Sequence, residues 1–168
     1  MIVTWALIGA AAGSLVSGSI SDKIGRRPVI LLADLLFTLG AVLMATAKTI
    51  AFLMFGRVVV GLGVGIAAQI VPLYLAEVAP VELRGKLVAL NTALITGGQV
   101  FSVILVFIIK PDWRLMLGLA GVPSTLQFIG MLFMPESPRW LGKVGKDENV
   151  KKVIAKVYKE THQAYAVQ

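Results

Sequence analysis

Five long apolar runs alternate along this chain with short charged connections. Ile2–Ile20 carries no charge, and Ser21–Arg27 (SDKIGRR) is a tight, charged link. Pro28–Ala47 is the second run, interrupted only by Asp34, and Lys48–Thr49 makes a minimal turn. Ile50–Pro72 is the third run and holds Arg57; Leu73–Lys86 follows as a polar linker. Leu87–Ile109 is again uncharged, Lys110–Arg114 turns the chain back, and Leu115–Met134 is the fifth run, with a kink expected at Pro123. A bilayer crossing needs roughly 20 apolar residues. The pattern therefore predicts an all-α membrane protein with spans at about 2–20, 28–47, 50–72, 87–109 and 115–134.

Beyond Pro135 the period changes. Val150, Val153, Ile154, Val157 and Tyr158 form one apolar stripe, with Lys151, Lys152, Lys156 and Lys159 off it. Residues 135–168 are expected to form a cytoplasmic segment with an amphipathic helix over about 147–160, N-capped by Asp147, lying at a membrane surface or against loops.

Composition agrees. The chain is 57% hydrophobic and only 15% charged, against about a quarter charged in a soluble domain, so most of its surface is expected to face lipid. There is no cysteine, hence no disulfide framework or thiolate metal site. The +7 net charge would suggest nucleic acid in a soluble chain, but here the basic residues sit in loops and tail, where they set orientation. With Ser21–Arg27 inside, Lys23, Arg26, Arg27, Arg84, Lys86 and seven basic tail residues lie inside; only Lys48, Lys110 and Arg114 lie outside. The expected topology puts the N-terminus outside and the C-terminus in the cytoplasm. No signal peptide is expected, since no basic flank precedes the first run.

Within the spans, polar residues mark candidate chemistry. Thr92, Thr96, Gln99 and Ser102 recur at i, i+4, i+7 and i+10, a polar stripe on one face of the fourth span. Gln99 lies roughly 18 Å along the axis from Leu87, near the middle of a hydrocarbon core about 30 Å thick. Neutral donors and acceptors of this kind suit a polyol; helix-to-helix hydrogen bonding is the plainer use. Arg57 enters roughly 10 Å from the outer end of its span and Asp34 roughly 9 Å from the inner end of the second, so the two should not pair directly. Gly61, Gly63 and Gly65 read as a close-packing face and not as a nucleotide loop, because the GLGVG run lies inside a span and follows no strand.

Three motifs then converge. Gly18–Arg27 reads G-x-x-x-D-K-x-G-R-R; in it Gly25 permits a tight turn, and Asp22 can accept from the first amides of the next helix or from an arginine. The segment resembles the signature between helices two and three of the major facilitator superfamily. Pro72–Gly85 (PLYLAEVAPVELRG) resembles the loop after the fourth helix of its sugar porter family, and Pro135–Leu141 (PESPRWL) the signature after the sixth. Asn91–Gln99 (NTALITGGQ), Leu31–Ala41 and Trp113–Pro123 are similar to the proton-coupled myo-inositol transporters. Where many hexose carriers have a sugar-contacting glutamine, this chain has Thr92.

The resemblance implies a partial N-terminal helical bundle, helices two to six of a twelve-helix carrier, whose partners would be the first helix and the C-terminal half. It implies membrane lipid around the bundle, a small polyol or sugar and a proton as ligands, and no cofactor, metal or nucleic acid. Gln99, Thr96 and Thr92 would contact substrate. Arg57 would face a proton-accepting aspartate on the first helix. Asp22, Arg26, Arg27, Glu77, Arg84, Glu136 and Arg139 would form an inner-face latch, while Glu82 and Lys86 fit simple solvated charges. No nucleophile sits beside a base, and His162 has no metal-ligand companion, so no enzyme is expected. The competing expectation is a truncated, non-transporting membrane protein acting by association, and a hexose carrier is the other.

Overall fold

The computed structural model describes residues 2–108 and 113–145 together with residues 148, 150 and 153. The amphipathic helix expected over 147–160, with its Asp147 cap, lies outside the described residues. Seven helices occur among them: α1 (Ile2–Ile24), α2 (Arg26–Ala45), α3 (Ile50–Val78), α4 (Val81–Ile108), α5 (Trp113–Leu119), α6 (Gly121–Phe133) and α7 (Pro138–Lys143). Five candidate membrane spans follow, the last running across the α5–α6 break. The chain is all-helical in its described part and has the character of a multi-pass membrane protein.

Local chemistry explains where the helices stop. Gly25 alone separates α1 from α2, at φ 105, a left-handed conformation that favours glycine. Thr49 caps α3, its hydroxyl accepting from Phe52 N at 3.3 Å. The break at Ala120 has a steric cause. Pro123 cannot donate to the carbonyl four residues back, and that residue is Leu119, the last of α5.

The linker expected at Leu73–Lys86 is different in the structure. Helix α3 continues to Val78 and α4 begins at Val81, leaving only Ala79 and Pro80 between them. Charged residues ended the apolar run, but Leu, Ala and Glu are good helix formers, and a helix does not stop at the edge of lipid. Pro80 supplies the stop. Pro72, expected to end the span, sits inside α3.

Helix α3 is the centre of the bundle, with α1 on one side and α2 on another; α5 and α6 pack on α2. The glycines of α3 divide between these two neighbours. A Cβ on Gly61 would collide with the backbone oxygen of Ala6, and one on Gly65 with that of Ala10. Reciprocally, Gly9 and Gly13 of α1 face the oxygens of Val58 and Leu62. Gly63 points the other way: its Cβ would lie 2.8 Å from Ala33 O and 3.0 Å from Phe37 N of α2. Residues two apart on a helix lie about 200° apart, so the expected single face is two seams. Val29, Ile30 and Ala33 of α2, Ile66, Ile70 and Tyr74 of α3, and Met131 of α6 fill the small core.

Much of the outer surface is apolar, as at Leu15 and Leu126, which fits surroundings of lipid. Helix α4 stands apart: no residue from 82 to 105 is buried.

Substituting Gly65 by Ala tests the seam. Overpacking is expected to lower stability by about 1–3 kcal/mol, read as a lower thermal unfolding midpoint in detergent. Gly98→Ala, with nothing within 4 Å of its new methyl, should leave the midpoint unchanged or raised.

Candidate functional site

The C-terminal ends of α1, α3 and α6 and the N-terminal end of α2 meet in a hydrogen-bonded charge cluster. Its centre is Arg26, whose side chain is 9% exposed, against Glu77, 4% exposed. The guanidinium donates from Nε to Glu77 Oε2 at 3.0 Å and from Nη2 to Oε1 at 3.3 Å. This is the two-point fork that makes arginine–carboxylate pairs directional. Nη1 donates to Ser21 O and to Asp22 Oδ1, both at 3.1 Å, so all three guanidinium nitrogens are used. Asp22 also lies 3.7 Å from Lys143 Nζ.

Glu136 performs the task open to Asp22 in the sequence. Its Oε1 accepts from the backbone amides of Arg26 (3.0 Å), Arg27 (3.1 Å) and Ser137 (2.9 Å). A carboxylate at the positive end of α2 satisfies two amides that have no helical partner. Asp22 turns to the Arg26 side chain instead. Gly25 makes room, since a Cβ there would collide with the Glu136 carboxylate. Arg27 returns the favour by donating from Nε to Met131 O at 3.1 Å and from Nη2 to Leu132 O at 2.7 Å. Those carbonyls belong to the last turn of α6. The start of α2 and the end of α6 thus cap each other.

Three members of this cluster went unnoticed in the sequence although all lie in quoted motifs. Ser137, fully buried, donates to Glu77 Oε2 at 2.6 Å and caps α7 by accepting from Trp140 N. Trp140 donates from its indole to Asp22 O at 3.0 Å, and Tyr74 donates to Pro135 O at 2.6 Å. Charge drew attention to PESPRWL; its neutral donors were the missing signal. The structure brings Asp22, Arg26, Arg27, Glu77 and Glu136 together. Arg84 and Arg139 stay outside, exposed and forming no ion pair among the described residues.

The mid-span residues are arranged differently. Thr92 donates to Val88 O at 3.2 Å, Thr96 to Thr92 O at 3.1 Å and Ser102 to Gln99 O at 2.7 Å. Each hydroxyl spends its proton on its own helix and keeps lone pairs free. Gln99 is exposed on α4 in the same row. Arg57 is half-buried and its Nε has no hydrogen-bond partner among the described residues; Asp34 Oδ2 likewise has none, and the two form no ion pair. A further polar contact, Ser17 Oγ donating to Gln69 Oε1 at 2.8 Å, joins α1 to α3.

A charge cluster of this composition, at one end of five candidate spans, can be set beside known proteins. The family profile described as Sugar (and other) transporter matches residues 1–168. This chain belongs to that sugar transporter family. It is 48% identical over 161 residues to the probable inositol transporter 2 of Arabidopsis thaliana, covering 94% of this chain and 28% of that protein. It is 45% identical over 161 residues to the human proton myo-inositol cotransporter, covering 94% and 25%. The partially occluded inward-open structure of the xylose transporter XylE from E. coli superposes with a TM-score of 0.86 at 30% identity, over 99% of this chain and 46% of that one. A related structure of the same symporter assigns the fold to the major facilitator superfamily. The chain thus spans about a quarter of the length of the inositol relatives and under half that of the solved transporter. The family is one of transporters and not of enzymes.

The cluster makes a graded prediction. Glu77→Ala strands a buried arginine and should cost about 3–5 kcal/mol, whereas Arg84→Gln and Arg139→Gln should each cost under about 1 kcal/mol. Unfolding midpoints of the three variants measure this; equal effects would remove Glu77 from the centre of the cluster.

Proposed function

We propose that this chain forms most of the N-terminal half of a carrier that moves myo-inositol or a related polyol or sugar, by proton symport with alternating access. The observation that carries the solute class is identity near one half to inositol transporters over almost the whole chain. In this reading Gln99 meets the solute with its amide, while Thr96 and Thr92 offer hydroxyl lone pairs from the same face of α4. The amide both donates and accepts and the threonine oxygens accept, which matches what a polyol hydroxyl requires. The exposure of that face suits a wall of a central passage completed by the other half.

Arg57 is the coupling residue. An arginine in a span needs an anionic partner, and its Nε has none among the described residues; an aspartate on a preceding helix would meet it when deprotonated. The inner cluster of Asp22, Arg26, Arg27, Glu77 and Glu136, with Arg84 and Arg139 free to reach the second half, acts as the latch of the outward-open state. The excess of lysine and arginine at that end supports a cytoplasmic position for it, with the N-terminus of this chain outside.

Uptake of labelled myo-inositol by cells expressing the intact carrier tests the reading. Accumulation is expected to rise as the external medium is acidified and to collapse with an uncoupler. Gln99→Ala should raise KM about tenfold, the equivalent of one or two lost hydrogen bonds. Arg57→Gln should abolish accumulation while sparing exchange of internal for external solute. Uptake of glucose with none of inositol would favour the hexose reading, which a 41% identity to the glucose transporter GlcP of Staphylococcus epidermidis supports.

A further inference from the structure

Helix α3 carries one polar side chain that neither the charge cluster nor the coupling scheme uses. Between Arg57 and Tyr74 the only polar residue of α3 is Gln69. It extends the glycine seam by one turn. Gly61, Gly65 and Gln69 form the row of α3 that meets α1, and Gly9, Gly13 and Ser17 form the opposing row. Glycines bring the two backbones together, and the next turn replaces them with a pair of polar side chains.

The surroundings fix the direction of the Gln69 carboxamide. Its Oε1 accepts from Ser17 Oγ at 2.8 Å, and the fully buried Ser17 shares the same proton with Ser14 O, also at 2.8 Å. Its Nε2 lies over Gly18, where an added Cβ would meet it at 3.8 Å. On α1, Gly18 lies about 100° to one side of Ser17 and Ile20 about 60° to the other. Ile20 packs on the buried cluster formed by α2, α3 and α6. The amide nitrogen is therefore on the side of the α1–α3 pair away from that core, and Gln69 is exposed there. Nε2 makes no hydrogen bond among the described residues. Ser14, one turn before Gly18 on the same side, is half-buried. Its hydroxyl donates to Ala11 O at 2.9 Å and keeps its acceptor lone pairs.

An amide N–H left facing hydrocarbon is costly, so this side of the pair calls for a polar neighbour. Depth separates Gln69 from the row on α4. It lies eight residues before Glu77, roughly 12 Å along the axis from the charge cluster. Counted outward from the Ala79–Pro80 turn, Gln99 stands roughly 13 Å farther from that cluster than Gln69 does. One six-membered ring does not bridge that distance.

We propose, resting on the transport reading above, that the Gln69 amide with the Ser14 hydroxyl beside it contacts the solute at a second station, nearer the charge cluster than Gln99. Nε2 donates and the Ser14 oxygen accepts, the combination that a polyol hydroxyl takes up. The bond from Ser17 holds the amide in place before the solute arrives, so little side-chain freedom is lost on contact.

The test uses Gln69→Cys in the intact carrier, in a background without other cysteines, purified in detergent and treated with a charged, lipid-insoluble thiol reagent. The thiol is expected to react. Myo-inositol or glucose at about ten times its Kd is expected to slow that reaction about tenfold, as occupancy requires. The slowing persists on ice, where the carrier no longer cycles, because the solute covers the position directly. No reaction puts position 69 against another helix or in lipid and overturns the proposal. A reaction that neither solute slows overturns it equally, as does slowing seen only in the warm, which reports closure elsewhere. Should Gln69→Cys not fold, the nearly isosteric Ser14→Cys decides by the same outcomes. Inositol uptake without protection sinks this station and leaves the functional reading standing; protection by glucose alone does the opposite.

Discussion

Backbone meeting backbone around α3 is the contact on which the rest of the bundle depends. In lipid there is no gain from hiding apolar side chains, so helices associate through packing and local polar contacts. Gly61 and Gly65 bring α3 against the carbonyls of α1, and Gly63 brings it against α2 from another side. With large side chains at these positions the three helices would stand apart, and Glu77 at the end of α3 could not reach Arg26 at the start of α2. The charge cluster is thus a result of the glycine seams. It adds direction to an association that packing makes possible.

The cluster itself converts loop chemistry into a rigid corner. Arg26 spreads its guanidinium over α1 and α3, and Glu136 and Arg27 exchange caps between α2 and α6. Hydrogen bonds to charged groups of this kind are each worth about 1.5–3 kcal/mol. Helix α4 has none of this support and carries the row of Thr92, Thr96 and Gln99. The chain joins a stiff frame of packed helices to one loosely attached span bearing a row of exposed polar groups.

Much of this was legible in the residues. Span number and order follow from apolar runs, because lipid demands them. The glycine spacing pointed to close packing, and the Pro123 kink appears as the break after Leu119. The helix ends between α3 and α4 were misjudged, since hydropathy marks where lipid stops and not where hydrogen bonding stops. Glu136 in place of Asp22 at the α2 amides could not be read either. That choice depends on which carboxylate the tertiary fold delivers, and sequence distance favoured the nearer one. Ser137, Trp140 and Tyr74 were hidden because a neutral donor has no periodicity or charge to betray it.

The cap on α2 also has a consequence in time. The amides of Arg26 and Arg27 wait for a carboxylate that lies 110 and 109 residues further on. At about 5–20 residues per second of synthesis, α2 would enter the membrane on the order of 5–20 s before its own end is completed. During that interval water or lipid headgroups at the membrane surface must stand in for Glu136. The corner is therefore closed only when α6 and the residues after it have emerged, which makes the last candidate span the checkpoint at which the bundle becomes a single body.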